Sequence, residues 1–493
     1  MLEKIFSKRK KENSKVMALK GINLVDGLSN ELKKDMTIII KEGKIIEIGK
    51  DNETTIPHDA NVLKLSGKTV IPGLIDAHLH LLQSGVDDFM KPYAESAYKK
   101  LKRNSFINLK SGITTVRNMP GGFGYSALKF RDKINEGKIL GPRILTSGPA
   151  LAPSNGYFSL KQYITSNTLM LFILSRIFRA HGLSIDVDSK EEGRTVVRKL
   201  KRKGVDFIKT VTPGSFIPFA EKDEKLKEEL LEKGMKLEQI KASMKPEVLQ
   251  EIVNEAHKQG LKVAVHTISW PDDFKKAVKV GVDSIEHTPL GLIDKETFKM
   301  MKSKEIYWVP TAYCFYNWTN LIDNPEQYDT PKMKELIPEP FHSLGKKSLQ
   351  KVREGIKQGN DPIWSRFYNE IEPFKEEYFP VNFRRALEEG IKIVAAVDGG
   401  VSGAAYVPHG QLYKELELYV DNGMNEFEAI QAATKNPAEL LGIEKEVGSV
   451  EVGKVGDLVV LNDNPLEKIS NVKNINCVIK DGSIAYKSKG ALD

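Results

Sequence analysis

The 493-residue sequence predicts an α/β fold: a closed (β/α)8 TIM-like barrel with a small β-sandwich domain formed by both chain ends. Three observations predict it. Strand-like apolar runs alternate with helical stretches eight times, short strands separated by turns occupy both ends, and polar residues recur at the C-terminal tips of the apolar runs. The alternation alone leaves a doubly wound sheet open, but the number of runs and their polar tips favour the barrel.

The two chain ends are the β-rich parts. Residues 36–40 and 44–48 near the start, and 457–461 and 477–479 near the end, are short apolar runs punctuated by Gly and Asp or Asn. Neither set can bury a face alone, so we expect them to pack together as one small sandwich. The predicted division gives 1–70 and 442–493 to the two parts of the β-sandwich domain and 71–441 to the barrel.

The middle of the chain supplies the barrel units. The eight apolar runs lie at 70–80, 113–117, 143–147, 206–211, 262–266, 283–287, 308–311 and 392–398. Three regions exceed ordinary loop lengths, and we expect them to have structure of their own at the C-terminal face of the barrel: 157–190, 213–245 and 313–385. The apolar stretch 168–174 is too short to span a bilayer. A buried helix or a subunit contact is favoured there over a membrane-surface segment or a lid at a substrate entrance.

Composition excludes several function classes. Hydrophobic residues make up 40% and charged residues 28%, as in ordinary globular proteins, and the net charge of +8 is small for this length. We therefore expect a small-molecule substrate, no nucleic acid and no membrane, with assembly into a homo-oligomer left open. Cys314 and Cys477 are the only cysteines, which leaves no disulfide framework and no zinc–thiolate site. With no apolar leader near the N-terminus, a cytoplasmic location is expected.

The first apolar run ends in two histidines, His78 and His80. Residues two apart on a strand point to the same face, so both imidazoles can aim at one metal ion. Later runs carry polar residues at comparable positions: Lys209, His266, His287 and Asp398. A single histidine at a strand end has an ordinary structural explanation. The repeated placement favours a shared site, because strand tips converge at one mouth of a barrel.

Lys209 lies inside the apolar run 206–211, where a buried ammonium would be costly. A salt bridge or a side chain reaching to solvent would explain it. Alternatively, desolvation favours the neutral amine, which can add carbon dioxide and become a carbamate that bridges two cations. Imidazole and carboxylate ligands suit Zn²⁺ and leave Mn²⁺, Co²⁺ or Fe²⁺ open. Two ions about 3.5–4 Å apart can bind hydroxide and polarise a carbonyl, while Asp398 transfers a proton to the leaving group.

These residues lie in motifs that resemble the amidohydrolase superfamily, in particular its imidazolonepropionase-like branch, which includes metal-dependent prolidases. The resemblance covers nearly the whole chain. It implies that His78, His80 and Asp398 bind the more buried metal, that His266 and His287 bind the more exposed one, and that carbamylated (N6-carboxy) Lys209 bridges them. Imidazolonepropionases keep one metal and lack this lysine, so Lys209 favours the two-metal, peptide-cleaving relatives. The motifs are residues 72–80, 112–117, 141–143, 206–209, 263–266, 283–287, 436–438 and 456–462.

The sequence departs from the family pattern around the predicted cavity. Asn118 stands where relatives often carry Asp, residues 155–157 replace a Gly-Gly-His, and 267–270 replace small residues or His. These changes leave the metal ligands intact and alter the walls, so the substrate class stays open. Asp76 is either a support for the ligands or simply structural. The candidate substrate contacts, each with a packing role as the alternative, are Arg117, Tyr157, Trp270, Tyr313 and His409.

Together the residues predict a metal-dependent amidohydrolase. It would cleave the C–N amide bond of a dipeptide or an N-acyl amino acid by attack of a metal-bound hydroxide, with two divalent ions, preferably Zn²⁺. An ester, lactone or cyclic-amide hydrolase using the same centre is the alternative within enzymes. A non-catalytic scaffold of the same fold is the alternative from another class. It is disfavoured because all six ligand positions are filled.

Overall fold

We describe the protein from a computed structural model. The structure describes residues 16–83, 96–121, 125–154, 156, 183–212, 224–232, 243–267, 270–359, 362–400 and 407–490. The apolar stretch 168–174 and the candidate contact Tyr157 lie outside these residues, as does most of the region 213–245.

Strands and helices alternate along the middle of the chain. The strands are β1 Met17–Leu24, β2 Lys33–Lys41, β3 Lys44–Lys50, β4 Asn61–Lys64, β5 Thr69–Pro72, β6 Leu74–Leu79, β7 Ile113–Asn118, β8 Arg143–Thr146, β9 Ala150–Ala152, β10 Ser184–Asp186, β11 Ile208–Val211, β12 Val263–His266, β13 Ser284–Glu286, β14 Tyr307–Val309, β15 Leu458–Leu461, β16 Ile475–Lys480 and β17 Ser483–Lys487. The α-helices are α1 Ala97–Lys110, α2 Ser126–Asn135, α3 Lys190–Arg202, α4 Glu224–Glu232, α5 Pro246–Lys258, α6 Pro271–Val280, α7 Lys295–Ser303, α8 Ala312–Asp323, α9 Pro331–Leu336, α10 Phe341–Gln358, α11 Pro362–Pro373, α12 Phe379–Glu389, α13 Leu412–Asp421, α14 Glu426–Ala432 and α15 Lys435–Leu441.

The two chain ends contribute to one sheet. Its strands run β17-β16-β15-β5-β1-β2-β3, with β4 pairing β1 beside this path. The junction between the ends is the antiparallel pair of β15 and β5, in which Val460 faces Val70. This sheet has its own apolar core, which includes Leu19, Ile38 and Ile479. The ends are therefore held together by backbone pairing and by shared burial of side chains.

The remaining strands form two parallel sheets, β6-β7-β8 and β10-β9-β11-β12-β13-β14. The segment after α12 lies between them. Val394 donates its backbone N–H to Trp308 O at 2.9 Å on the β14 side, and Asp398 donates its own to His78 O at 3.0 Å on the β6 side. Parallel bridges join Trp308 to Ile393 and Leu79 to Gly399. The fold is thus α/β with parallel sheets whose neighbouring edges are linked through residues 393–399.

The structure corrects two details of the predicted strands. The run 70–80 is two strands, because β5 belongs to the small sheet and β6 to a parallel sheet, with Gly73 between them. The run 392–398 is not a regular strand. It pairs through the bridge and hydrogen bonds described above, and its carbonyl oxygens at Lys392 and Ala395 also accept the backbone N–H groups of Trp308 and Ala77. Two further strands, β9 and β10, were not expected, and β9 lies between β10 and β11.

Helices follow the parallel strands and bury one face each. In α5, for example, Leu249, Ile252 and Val253 are buried while the opposite face is exposed. The region 313–385 is helical, as expected for an insertion with structure of its own, and runs from α8 to α12. None of the helices within the described residues has the length and hydropathy needed to cross a bilayer.

Candidate metal centre

Three predicted ligands lie together at the end of β6. His78 lies in β6 and His80 directly follows its last residue, and the backbone hydrogen bond from Asp398 to His78 O brings the aspartate beside them. The Nε2 atoms of His78 and His80 are 3.5 and 3.1 Å from Oδ1 of Asp398. One ligand atom from each residue lies within 4.8 Å of those of the other two, and all three residues are buried. This is a compact group of potential metal ligands.

The Nδ1 atoms of the two histidines fix which ring nitrogen faces Asp398. Nδ1 of His80 lies 2.5 Å from the carbonyl oxygen of Pro120, and Nδ1 of His78 lies 2.7 Å from Oε2 of Glu286. Carbonyl and carboxylate oxygens accept, so each Nδ1 donates its hydrogen. The lone pairs of both Nε2 atoms are then directed at a carboxylate oxygen. Three acceptor atoms this close need a cation among them, so the residues fit a metal ion.

Of the two further predicted ligands, His266 is the last residue of β12 and His287 directly follows β13. Their ring centroids are 4.4 Å apart, and the centroids of His287 and His78 are 4.7 Å apart. Nδ1 of His287 lies 2.7 Å from Oγ1 of Thr311. The structure therefore brings four imidazoles, with Asp398, into one buried region.

Burial determines the charge of these imidazoles. It lowers the pKa values of His78, His266 and His287 well below the ordinary value, and neighbouring positive groups, including Lys209, lower them further. The rings are consequently neutral near pH 7. Neutral imidazole is the form that binds metal.

Lys209 lies in β11 opposite Ala264, two pairs before the level at which Val211 faces His266 across the sheet. Its side chain is buried, and Nζ has no hydrogen-bond partner among the described residues. Burial lowers the pKa of the amine to about 8, although the Glu286 carboxylate acts in the opposite direction. The predicted salt bridge, the ordinary explanation for a buried lysine, is not seen within the described part of the chain. An unpartnered buried amine fits a group that is modified or bound to a ligand.

Three residues at this site have strained backbone. His287, Thr311 and Asp398 have φ values of 74°, 48° and 57°, in the left-handed region that non-glycine residues rarely adopt. Such conformations cost about 1–3 kcal/mol each and persist only where the surrounding structure imposes them. Two of these three residues are predicted ligands, so the strain lies where side chains must be aimed precisely.

Glu286 has a role in the structure that was not predicted from the sequence. Its carboxylate is buried and accepts hydrogen bonds from His78 and from Arg117, whose Nη2 lies 2.8 Å from both of its oxygens. The signal was present in the sequence, since a glutamate within a buried strand needs a partner. Asp76, for which two roles were open, accepts the backbone N–H of His78 at 3.1 Å, which favours the supporting role.

The predicted substrate contacts are dispersed. Arg117 is only 2% exposed and uses its donors on Ala77 O, Ser284 and Glu286, so a substrate role for it does not fit this placement. His409 is buried, with one ring nitrogen beside Asn108 and the other donating to Gln83 O, which leaves no nitrogen for a substrate.

The other two described candidates lie on or before helices. Tyr313 is half-buried in α8 and donates its hydroxyl hydrogen to Asn317 at 3.1 Å. Trp270 is the half-buried residue before α6 and packs against the main core. Asn118, which replaces the family's usual Asp, accepts from the Leu81 N–H and donates to Thr146, so it ties the end of β6 to β8. Which residues contact the substrate therefore stays a prediction.

Comparisons with known proteins agree with the fold. A family model described as "Amidohydrolase family" matches residues 69–485. The chain is 26% identical over 437 residues to ochratoxinase of Aspergillus niger, covering 85% of this chain and 76% of that protein. It is 22% identical over 484 residues to imidazolonepropionase of Brevibacillus brevis, covering 94% and 93%.

A crystal structure of a Xaa-Pro dipeptidase with methionine bound in its active site is similar at a TM-score of 0.69 with 28% identity, covering 96% of this chain and 100% of that chain. The family match spans most of the sequence and includes every predicted metal ligand. The chain therefore belongs to the amidohydrolase family and is a hydrolase of carbon–nitrogen bonds.

Proposed function

We propose that this protein hydrolyses the amide bond of dipeptides or N-acyl amino acids with the help of two divalent metal ions, preferably Zn²⁺. The observation that carries the proposal is the buried group of His78, His80 and Asp398, in which two imidazole lone pairs converge on a carboxylate. The similarity to a Xaa-Pro dipeptidase supports a dipeptide as substrate.

In this proposal His78, His80 and Asp398 hold the more buried ion, and His266 and His287 hold the other. Lys209, as a carbamate, would be the ligand that the two ions share. Its neutral amine would add carbon dioxide, forming the N–C bond and releasing one proton, and the pKa of about 8 makes that amine accessible near neutrality. The modification also gives the buried, unpartnered Nζ a chemical purpose.

When bound, such a metal pair lowers the pKa of water and polarises the carbonyl of the substrate. The protein's own contribution is to fix the ligands and to move a proton. Oδ1 of Asp398 faces the two histidines, so Oδ2 would accept a proton from water and pass it to the leaving nitrogen. The neutral imidazoles of His266 and His287 need no proton loss before they bind metal.

The proposal also includes the closure of the barrel and the division of the chain into domains. We take the two parallel sheets and residues 393–399 to close into one (β/α)8 barrel of about residues 71–441, flanked by a β-sandwich domain from residues 1–70 and 442–493. The bridges that join Trp308 to Ile393 and Leu79 to Gly399 support this closure. In such a barrel the five strand tips that carry the predicted ligands open at one mouth.

A substrate panel tests the proposed function. Protein prepared with Zn²⁺ and bicarbonate would be assayed with Xaa-Pro and other dipeptides, N-acyl amino acids, lactones and cyclic imides. We expect the protein to hydrolyse amide substrates and to contain about two metal equivalents per chain. Chelation should remove the metal and abolish the hydrolysis. Selective turnover of lactones or imides would replace the proposal with the alternative hydrolase. Absence of metal from an active protein would overturn it.

A further inference from the structure

Glu286 and Arg117 form a buried ion pair inside the fold, next to His78. Arg117 Nη2 lies 2.8 Å from both carboxylate oxygens of Glu286. Ser284 donates its hydroxyl hydrogen to Oε1 at 2.5 Å, and Oε2 accepts from Nδ1 of His78 at 2.7 Å. Both oxygens of the carboxylate are thus satisfied, and the Glu286 side chain is fully buried.

The pair is held from three strands. Arg117 comes from β7, Glu286 from β13 and His78 from β6, while Nε of Arg117 donates to the carbonyl oxygen of Ala77, directly before His78. A single guanidinium therefore fixes both the backbone beside His78 and the carboxylate that receives its ring hydrogen. Breaking one partner of a buried pair is costly, so the arrangement is rigid.

This geometry determines the tautomer of His78. Because Arg117 can only donate, the oxygens of Glu286 that face it are acceptors, and Oε2 likewise accepts from His78. Nδ1 must then carry the hydrogen, which leaves the Nε2 lone pair pointing at Asp398. Carboxylate groups that hold the outer nitrogen of a metal-binding histidine in this way orient the ring and strengthen it as a ligand.

We infer that Glu286, clamped by Arg117, is the positioning residue that holds His78 as an Nε2 metal ligand. This inference rests on the metal site of the proposed function and assigns a role to two residues outside the ligand set. It also gives Arg117 a purpose other than substrate contact. The competing explanation is that the ion pair only stabilises the fold, and the two explanations predict different measurements.

The test compares Glu286→Gln with Ser284→Ala. The glutamine keeps the shape of Glu286 but must present an N–H group to Arg117 or to His78. Ser284→Ala removes the hydrogen bond to Glu286 and the one from Nη1 of Arg117, but leaves both Nη2 contacts and the contact with His78 in place. Affinity for Zn²⁺ or Co²⁺ would be measured against a chelator, with the absorption spectrum of bound Co²⁺ and the unfolding of the metal-free protein. None of these readouts requires a substrate.

We expect Glu286→Gln to lower metal affinity about 10- to 100-fold and to change the Co²⁺ spectrum. Ser284→Ala should keep both close to wild type. A purely structural pair would instead destabilise the metal-free protein and leave metal affinity in the folded protein unchanged, which would overturn the inference. If Glu286→Gln does not fold, Arg117→Lys keeps the charge and loses the forked donor, and wild-type metal affinity in that variant would overturn it equally.

The outcomes also separate this inference from the proposed function. Wild-type protein that binds metal but hydrolyses no amide would overturn the proposed function alone. Wild-type protein that hydrolyses amides, together with a folded Glu286→Gln variant of unchanged metal affinity, would overturn the positioning role alone.

Discussion

The buried carboxylate of Glu415, in α13, accepts the backbone N–H of Ala312 at 2.8 Å, at the first residue of α8. Its other oxygen accepts the N–H of Tyr313 at 2.7 Å. The residue before this helix is Thr311, which makes no cap of its own and instead lies 2.7 Å from Nδ1 of His287. A side chain from a distant helix thus caps α8 beside a predicted metal ligand.

Glu415→Ala should therefore destabilise the protein by roughly 1–3 kcal/mol, because two buried N–H groups lose their acceptor. Glu415→Gln keeps one acceptor and should lose less. Chemical denaturation of the metal-free protein measures both. Glu417→Ala, on the same helix, is the matched control and should change little, because within the described residues Glu417 pairs with lysines near the surface. Equal stability of Glu415→Ala and wild type would contradict the capping role.

Lys209→Met removes the amine and keeps most of the stem. In the proposed function it cannot form a carbamate, so metal content should fall from about two equivalents to one or fewer, with loss of hydrolysis. The metal-free variant should be at least as stable as the wild type, since an unpartnered buried amine is replaced by an apolar side chain. Metal analysis tests the predicted metal content, and thermal unfolding tests the predicted stability. Two tightly bound metals in the variant would exclude the bridge.

His409 predicts a pH dependence of stability. Asn108 Nδ2 donates to its Nδ1 and the ring donates from Nε2 to Gln83 O, an arrangement suited to neutral imidazole. Burial lowers the pKa of His409 to about 4. The unfolded chain therefore binds one more proton than the folded protein between about pH 6.5 and pH 4. The contribution of His409 to the free energy of unfolding is therefore fully present above pH 6.5 and is lost as the pH falls from 6.5 to 4.

The size of the effect is on the order of 3 kcal/mol across the window. It should be absent from His409→Gln, so the difference in unfolding free energy between wild type and variant should change steadily from pH 6.5 to 4 and be constant above pH 6.5. Parallel curves at all these pH values would show that the imidazole takes up its proton in the folded protein as readily as in the unfolded chain, which would contradict the prediction.

Gly73 should tolerate no side chain. A Cβ placed there would lie 2.1 Å from Oγ1 and 2.8 Å from Cγ2 of Thr114, in the neighbouring strand β7. Gly73→Ala should cost about 1–3 kcal/mol through overpacking. In a Thr114→Ala background the same change should cost less, because the two nearest contacting atoms are gone and only Cβ of residue 114, at 2.9 Å, remains. A double-mutant cycle of unfolding free energies measures this coupling, and strictly additive effects would contradict the proposed contact.

Much of the candidate site could be predicted from the sequence because it depends on local patterns. The spacing of His78 and His80 placed both on one strand face, and the apolar residues before His266 and Asp398 marked further strand ends. What joins these positions is the parallel direction of the runs, whose tips lie at one end of the fold whatever their separation along the chain. The structure brings the three residues His78, His80 and Asp398 together as this rule predicts.

The parts that the sequence did not reveal depend on tertiary contacts. The roles of Glu286 and Arg117 become visible only when strands β13 and β7 face each other, since each residue alone is an unexplained charge in an apolar run. The separation of β5 from β6 depends on their pairing with different strands, β15 and β7, and the hydrophobic periodicity of the sequence does not indicate which strands pair. The cap supplied by Glu415 comes from a helix about one hundred residues away from the one it caps.

The backbone hydrogen bond from Asp398 to His78 O has a consequence for the order of biogenesis. His78 and His80 are synthesised long before Asp398, the aspartate that completes their group. The nascent chain therefore presents two imidazoles without their carboxylate for most of its synthesis. We expect the assembled cation-holding geometry to arise only after translation has passed the eighth apolar run.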